Sequence, residues 1–260
     1  MLASTWSHRS LLTSLVRRQF QLRYRQSVAG VFWAAIPPIV TVLASTLVFN
    51  KVAGLSSGDP NVSYPLFVFS AVTPWTFFAG SISFGVPSIA SSQPMVSRLS
   101  FPRAVLPLSM VGLSLVDFAI TFVTFVIYLY ATGDSLTATV VWVPALLAIE
   151  IMLASGIVLF ASALNMFARD VKLAIPFVMQ LWLFLTPVMY PLTSVPRELR
   201  SLYLANPMTG IVESFRDVLI SPGQAPSLEL LGPSLIGAAA ALVLGVWYFG
   251  ATERRFADVI

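Results

Sequence analysis

Six stretches of this 260-residue chain are apolar for about the 20 residues that a helix needs to cross a lipid hydrocarbon core. They fall at 31–53, 64–90, 105–130, 140–165, 173–192 and 228–250. Pro74 and Pro87 interrupt the second stretch, and Pro176 and Pro187 the fifth. Kinked spans are tolerated in lipid where neighbouring helices or a cavity re-satisfy the freed backbone groups. The pattern therefore predicts an all-α membrane protein with six transmembrane helices.

Three shorter segments depart from that pattern. Over 9–22, Leu11, Leu12, Leu15, Val16, Phe20 and Leu22 share one helical arc, with Arg9 and Arg23 inside it and Arg17 and Arg18 outside. That predicts an amphipathic helix lying in the headgroup plane, its arginines reaching phosphates. A plain basic flank explains the charge but not the arc, and the segment is not built like a cleavable signal peptide. The stretch 91–103 is too polar for lipid and too short for a domain, and on composition alone it reads as a plain loop. As a short helix it would offer Met95, Val96, Leu99 and Phe101 as apolar anchors to a partner. Between the fifth and sixth spans, 193–227 predicts two short amphipathic helices, 196–204 stopped by Asn206-Pro207 and 208–220 stopped by Pro222-Gly223. Neither is long enough to cross, so they are expected as a re-entrant pair at the outer mouth.

Composition agrees with a bilayer. The chain is 57% hydrophobic and only 10% charged, with a mean hydropathy of +0.85, whereas a soluble domain is about 25% charged. Charge placement sets the orientation. With a cytoplasmic N-terminus, that side receives Arg9, Arg17, Arg18, Arg23, Arg25, Arg98, Arg103, Arg169, Lys172, Arg254 and Arg255. The opposite side receives only Lys51, Arg197, Arg200 and Arg216, so both termini are expected inside. The net charge of +4 is then topology charge against anionic headgroups, and nucleic acid is not an expected partner.

Catalytic chemistry is poorly supplied. There is no cysteine, and the one histidine, His8, stands in the basic N-terminal stretch. No phosphate-binding G-x-x-x-x-G-K-[ST], no H-E-x-x-H and no G-x-S-x-G occurs, so ATP-driven work would need another chain. Two ionisable residues lie within spans, Asp117 and Glu150, and such groups are functional candidates by default. Asp117 belongs to a stripe with Ser114, Thr121, Thr124 and Tyr128, flanked by Phe118, Phe122 and Phe125. Hydroxyls beside rings suit a sugar-conducting wall, although the stripe reads first as glue between helices. Glu150 has no such stripe, and a cation partner or a place near an interface is expected for it. A proton-coupled carrier using Asp117 or Glu150 would favour inverted repeats, which are not evident, and a lipid-sugar enzyme would gather charged residues at one face.

The order of segments resembles the permease subunit of polysaccharide-exporting ABC transporters of the ABC-2 type. The resemblance is carried by LRYRQSVAGVFWA (22–34), TPWTFF (73–78), FPRAVLPLS (101–109), NMFARDV (165–171), TPVMYP (186–191) and NPM (206–208), in order along nearly the whole chain. It implies a single transmembrane domain over 1–260, with an interface helix at 9–26, a coupling helix at 91–103 and external gate helices at 196–220. It further implies a homodimer on two ATP-binding subunits, which would hold ATP and Mg while this chain binds no cofactor. The implied cargo is an O-antigen, teichoic acid or other lipid-linked glycan crossing a bacterial inner membrane. An exporter of drugs or small lipids is the alternative on the same scaffold.

Residue roles follow from the same resemblance. Gln93, Met95, Val96, Arg98, Leu99, Phe101 and Arg103 would couple to the ATPase. Arg17, Arg18, Arg23 and Arg25 would attract the lipid pyrophosphate, with an ordinary basic flank as the competing explanation. Phe32, Trp33, Trp75, Phe77, Phe78, Trp182, Phe184 and Tyr190, together with Asp117, Thr121, Phe122 and Phe125, are candidates for the channel lining. Arg197, Tyr203, Asn206 and Phe215 would belong to the external gate.

Overall fold

The structure, a computed structural model, describes residues 9–24, 30–92, 101–221 and 225–258. Every regular element among them is helical. In chain order the α-helices are α1 (Arg9–Tyr24), α2 (Ile36–Ser45), α3 (Tyr64–Gly85), α4 (Ser88–Ser91) and α5 (Val105–Ala131). They continue with α6 (Val143–Phe167), α7 (Val171–Leu185), α8 (Arg197–Ala205), α9 (Pro207–Ile220) and α10 (Leu228–Thr252).

Among the described residues five rods are long and apolar enough to cross a membrane: Phe32–Val52, Tyr64–Gly85, Val105–Ala131, Ala138–Phe167 and Leu228–Phe256. The first joins a 3-10 turn, α2 and a π-helical stretch, Thr46–Val52. Pro37 and Pro38 stand in the opening turn of α2, where a missing N–H costs no helix bond. Pro74 is absorbed inside α3, whereas the chain breaks at Pro87 before α4.

The fifth expected span differs. Instead of running over 173–192, α7 stops at Leu185 after 15 residues, about 22 Å at ~1.5 Å per residue. A hydrocarbon core is about 30 Å thick. Pro187 is the physical cause, because the residue before a proline is steered out of the helical region, and Thr186 is extended accordingly. The next residues turn and are tied down by distant groups: the Tyr64 hydroxyl donates to the Met189 carbonyl at 2.6 Å, and Arg216 Nη2 donates to Val188 at 2.7 Å. The two short helices expected over 196–220 form, α8 and α9 meeting at Asn206, whose side chain accepts from the Met208 amide at 3.1 Å to cap α9.

The core falls into two clusters. The larger gathers α3, α5, α6 and α9 around Phe77, Phe78, Phe125 and Phe215. The smaller joins Leu15 of α1 to Ile89, Val105, Leu106, Leu159, Phe249 and Phe256. Thus α1 is packed along the first half of α5 and is not simply spread on a lipid surface, and Val16 lies where a Cβ on Gly112 would be at 2.8 Å.

A tight seam lies between α6 and α10. A Cβ on Gly156 would sit 2.3 Å from the Ala241 carbonyl carbon, and one on Gly245 would sit 2.1 Å from the Gly156 carbonyl oxygen. Here backbone meets backbone, with Ala241 and Gly245 spaced as a small-xxx-small pair. Gly156→Val should therefore separate the two helices and cost about 1–3 kcal/mol or more. Thermal unfolding of the purified protein in detergent measures this, and a melting temperature equal to wild type would contradict the seam.

Candidate functional site

The inner end of α1 builds the most chemically distinctive region. Arg23 Nη1 donates to Asp117 Oδ2 at 2.6 Å, and the Tyr24 hydroxyl donates to Asp117 Oδ1 at 2.7 Å. Asp117 is the thirteenth residue of α5, so this tie holds α1 against the middle of a span. The pair is only partly exposed, 31% for the arginine side chain and 17% for the aspartate. The guanidinium also lies over the Phe84 ring at 4.2 Å. Burial, with the Asp117 hydrogen bond adding to it, pushes the Tyr24 phenol up to about 12, so it stays a donor. The polar stripe thus does serve as glue at Asp117, joining α5 to α1.

Beside that tie opens a cavity of about 390 Å³. Asp117, Thr121, Thr76, Trp33 and Trp75 are among its walls, with Pro37, Pro38 and Thr41 of α2 opposite. Sequence reasoning named Asp117, Thr121 and both tryptophans but missed Tyr24, Thr41 and Thr76. The adjacency of Tyr24 to Arg23 at a helix end was the available signal.

The other lining candidates separate by burial. Phe77, Phe78 and Phe125 are fully enclosed in the core of this one chain. Phe122 stacks on Phe118, their centroids 5.9 Å apart, and Trp182 meets Phe78 edge-on at 5.0 Å. Phe32, at 78% exposed, and Phe184 lie on the outer surface. Glu150 has neither the cation nor the interface expected of it. It is completely buried, and neither carboxylate oxygen has a hydrogen-bond partner among the described residues. The reason is its position on the face of α6 turned into the bundle, with Leu146, Leu153 and Ala154.

At the outer end, Asn206 is a hub. Besides capping α9 it accepts from Trp182 Nε1 at 2.9 Å and donates to the Leu185 carbonyl at 3.2 Å and to Thr186 Oγ1 at 3.0 Å. The hydroxyls of Tyr190 and Tyr203 are 2.9 Å apart. Phe215 is buried against Phe118, whereas Arg197 is exposed. An apolar cavity of about 570 Å³ opens between α7 and α8, lined by Leu181, Trp182, Leu185, Leu202 and Tyr203.

A buried cation here was not anticipated beyond its side of the membrane. Arg216 pairs with Glu213 at 2.7 Å and lies 3.8 Å from the Phe67 ring centre. The Glu213-x-x-Arg216 spacing on one helix was the readable signal. Burial pushes Asp217 up to about 6, helped by the nearby Glu213 carboxylate and opposed by Arg216.

At the opposite end, Arg17 and Arg18 are exposed on α1. Arg25, Gln93, Met95, Val96, Arg98 and Leu99 fall outside the described residues. Of the segment 91–103, Phe101 packs on the smaller core cluster, and Arg103 is bound to the turn that follows α10. Its amide donates to Glu253 Oε1 at 2.9 Å and its Nη1 to the Glu253 carbonyl at 2.8 Å.

A multi-pass helical bundle with a basic helix docked on its flank and a short helix pair before its last span is the architecture of a membrane transport subunit. The profile of the ABC-2 type transporter family matches residues 10–220, and the chain belongs to that family. It is 30% identical to the O-antigen export system permease protein RfbA of Myxococcus xanthus, over 98% of this chain and 97% of that protein. A Klebsiella pneumoniae protein of the same name is 25% identical over 96% and 95% respectively. The polysialic acid transport protein KpsM of Escherichia coli is 21% identical over 81% of each chain.

Two measurements probe these ties. In a double-mutant cycle of Arg23→Gln and Asp117→Asn, the double variant should lose less stability in detergent than the two singles added together, by about 1 kcal/mol. Additive losses would mean that the pair contributes nothing. For Asp217, the raised value means that the fold favours the protonated form. Stability is then fullest at low pH and is lost as pH rises from 3.8 through about 6. The melting temperature of Asp217→Asn should gain on wild type across that window and hold a constant lead above it.

Proposed function

We propose that this chain is the permease subunit of an ATP-driven exporter that moves a lipid-linked cell-surface polysaccharide, such as an O-antigen or teichoic acid, across the inner membrane. The end-to-end likeness to permeases named for O-antigen export carries the reading. Two copies pair to enclose a channel, and each rests on a separate ATP-binding subunit that holds ATP and magnesium.

In this reading α7, together with the turns that follow it, completes a sixth crossing, and α8 and α9 form a re-entrant gate on the outside. An even number of crossings leaves both termini cytoplasmic, in accord with the lysine and arginine distribution. The segment 91–103 docks on the ATPase, with Arg103 anchoring its end to Glu253. The exposed Arg17 and Arg18, with Arg25 of the same basic stretch, draw the lipid pyrophosphate toward the bundle, while Arg23 is committed to Asp117. Aromatic side chains on the outward faces, Phe32, Trp33 and Phe184, meet the second copy or the sugar chain.

One observation favours a second reading, an exporter of drugs or small lipids. The cavity between α7 and α8 is large and almost wholly apolar, which suits a greasy ligand. Deletion of the gene separates the two. Surface glycan should be lost while lipid-linked glycan accumulates inside the cell, and the purified wild-type chain should retain a soluble ATPase. Normal surface glycan with raised drug sensitivity would overturn the polysaccharide reading.

A further inference from the structure

We propose that the cavity beside the Arg23–Asp117 pair binds one uncharged sugar ring of the cargo. This rests on the polysaccharide reading and goes beyond it by assigning a binding pocket within a single chain.

Size permits it. At about 390 Å³, the cavity lies within the ~300–1,000 Å³ typical of small-ligand sites. The chemistry of its walls matches a pyranose, which shows C–H groups on its faces and hydroxyls around its edge. Trp75 is almost buried at 7% exposed, and Trp33 is 54% exposed, so one ring lies deep in the wall and the other stands at the rim. Flat aromatic faces receive sugar C–H groups. Asp117 supplies the edge contacts. A carboxylate has about four lone-pair sites, and Arg23 and Tyr24 occupy one on each oxygen. Each oxygen keeps room for a ligand hydroxyl, and the two donors hold the carboxylate in place before the sugar arrives.

Charge decides between a sugar and a phosphate. Arg23 and Asp117 are the charged side chains lining this cavity among the described residues, and they face one another at 2.6 Å. The guanidinium is already compensated, and a phosphate entering here would meet the Asp117 carboxylate at close range. A neutral polyol meets no such repulsion.

The test uses the full chain with its ATPase partner in lipid nanodiscs, and follows tryptophan fluorescence during titration. The probes are methyl glycosides of glucose, galactose, mannose, rhamnose and N-acetylglucosamine, with inorganic pyrophosphate as the charged comparison. At least one glycoside should give a saturable change that pyrophosphate does not prevent. Its apparent Kd should rise about tenfold or more in Asp117→Asn and in Thr121→Val. Thr121→Val keeps the Arg23–Asp117 pair, so a loss seen there with an unchanged melting temperature is not a folding defect. Overturning results are no response to any glycoside, a response equal in wild type and both variants, or a pyrophosphate response that strengthens in Asp117→Asn. Export in the deletion strain keeps the two ideas apart. Wild type that fails to restore surface glycan sinks the polysaccharide reading, whereas both variants restoring it at the wild-type rate sinks the pocket alone.

Discussion

Helices in lipid gain little from hiding apolar surface, because the solvent is as apolar as they are, so their association must come from close packing and a few polar bonds. The α6–α10 seam meets that requirement. With Gly156 against Ala241 and Gly245 against the Gly156 carbonyl, the two backbones approach as nearly as atoms allow. Much of α10 is otherwise turned outward, with Ile236, Val243, Leu244 and Trp247 exposed. The glycine seam is the largest of the contacts that hold the last span, and α9, which packs on α10, α3 and α6, adds a second close approach where Gly210 meets the Leu230 carbonyl.

Polar side chains add bonds that packing does not. Against the middle of α5 Asp117 gathers Arg23 and Tyr24 of α1, and beyond the end of α7 Thr186 bonds Asn206 while Arg216 of α9 reaches the Val188 carbonyl. In each case the bonded groups belong to different segments of the chain, so the contacts set relative position and not merely helix content.

Much of this was legible in the chain. Long apolar runs are set by membrane thickness, so five spans could be read directly, and Asn206-Pro207 marked the boundary between α8 and α9. The length of α7 was not, because Val188, Met189 and Tyr190 continue the apolar run past the point where Pro187 ends the helix. Hydropathy registers where a segment dissolves and is blind to whether it is helical. The partners of Asp117 were also hidden, since a stripe on one helix says which face is polar and nothing about what lies against it. Phe77, Phe78 and Phe125 illustrate the same limit: their ring chemistry suited a channel wall, and three-dimensional packing put them in the core.

The Arg23–Asp117 bond joins residues 94 positions apart. At about 5–20 residues per second of synthesis, Asp117 is polymerised some 5–20 s after Arg23. The first two spans are made within that interval, while α1 has no Asp117 carboxylate to hold it. A basic amphipathic helix in that state has the anionic membrane surface as its nearest favourable partner. The tie between α1 and the third span therefore joins the first helix to the bundle only after two other spans have been made.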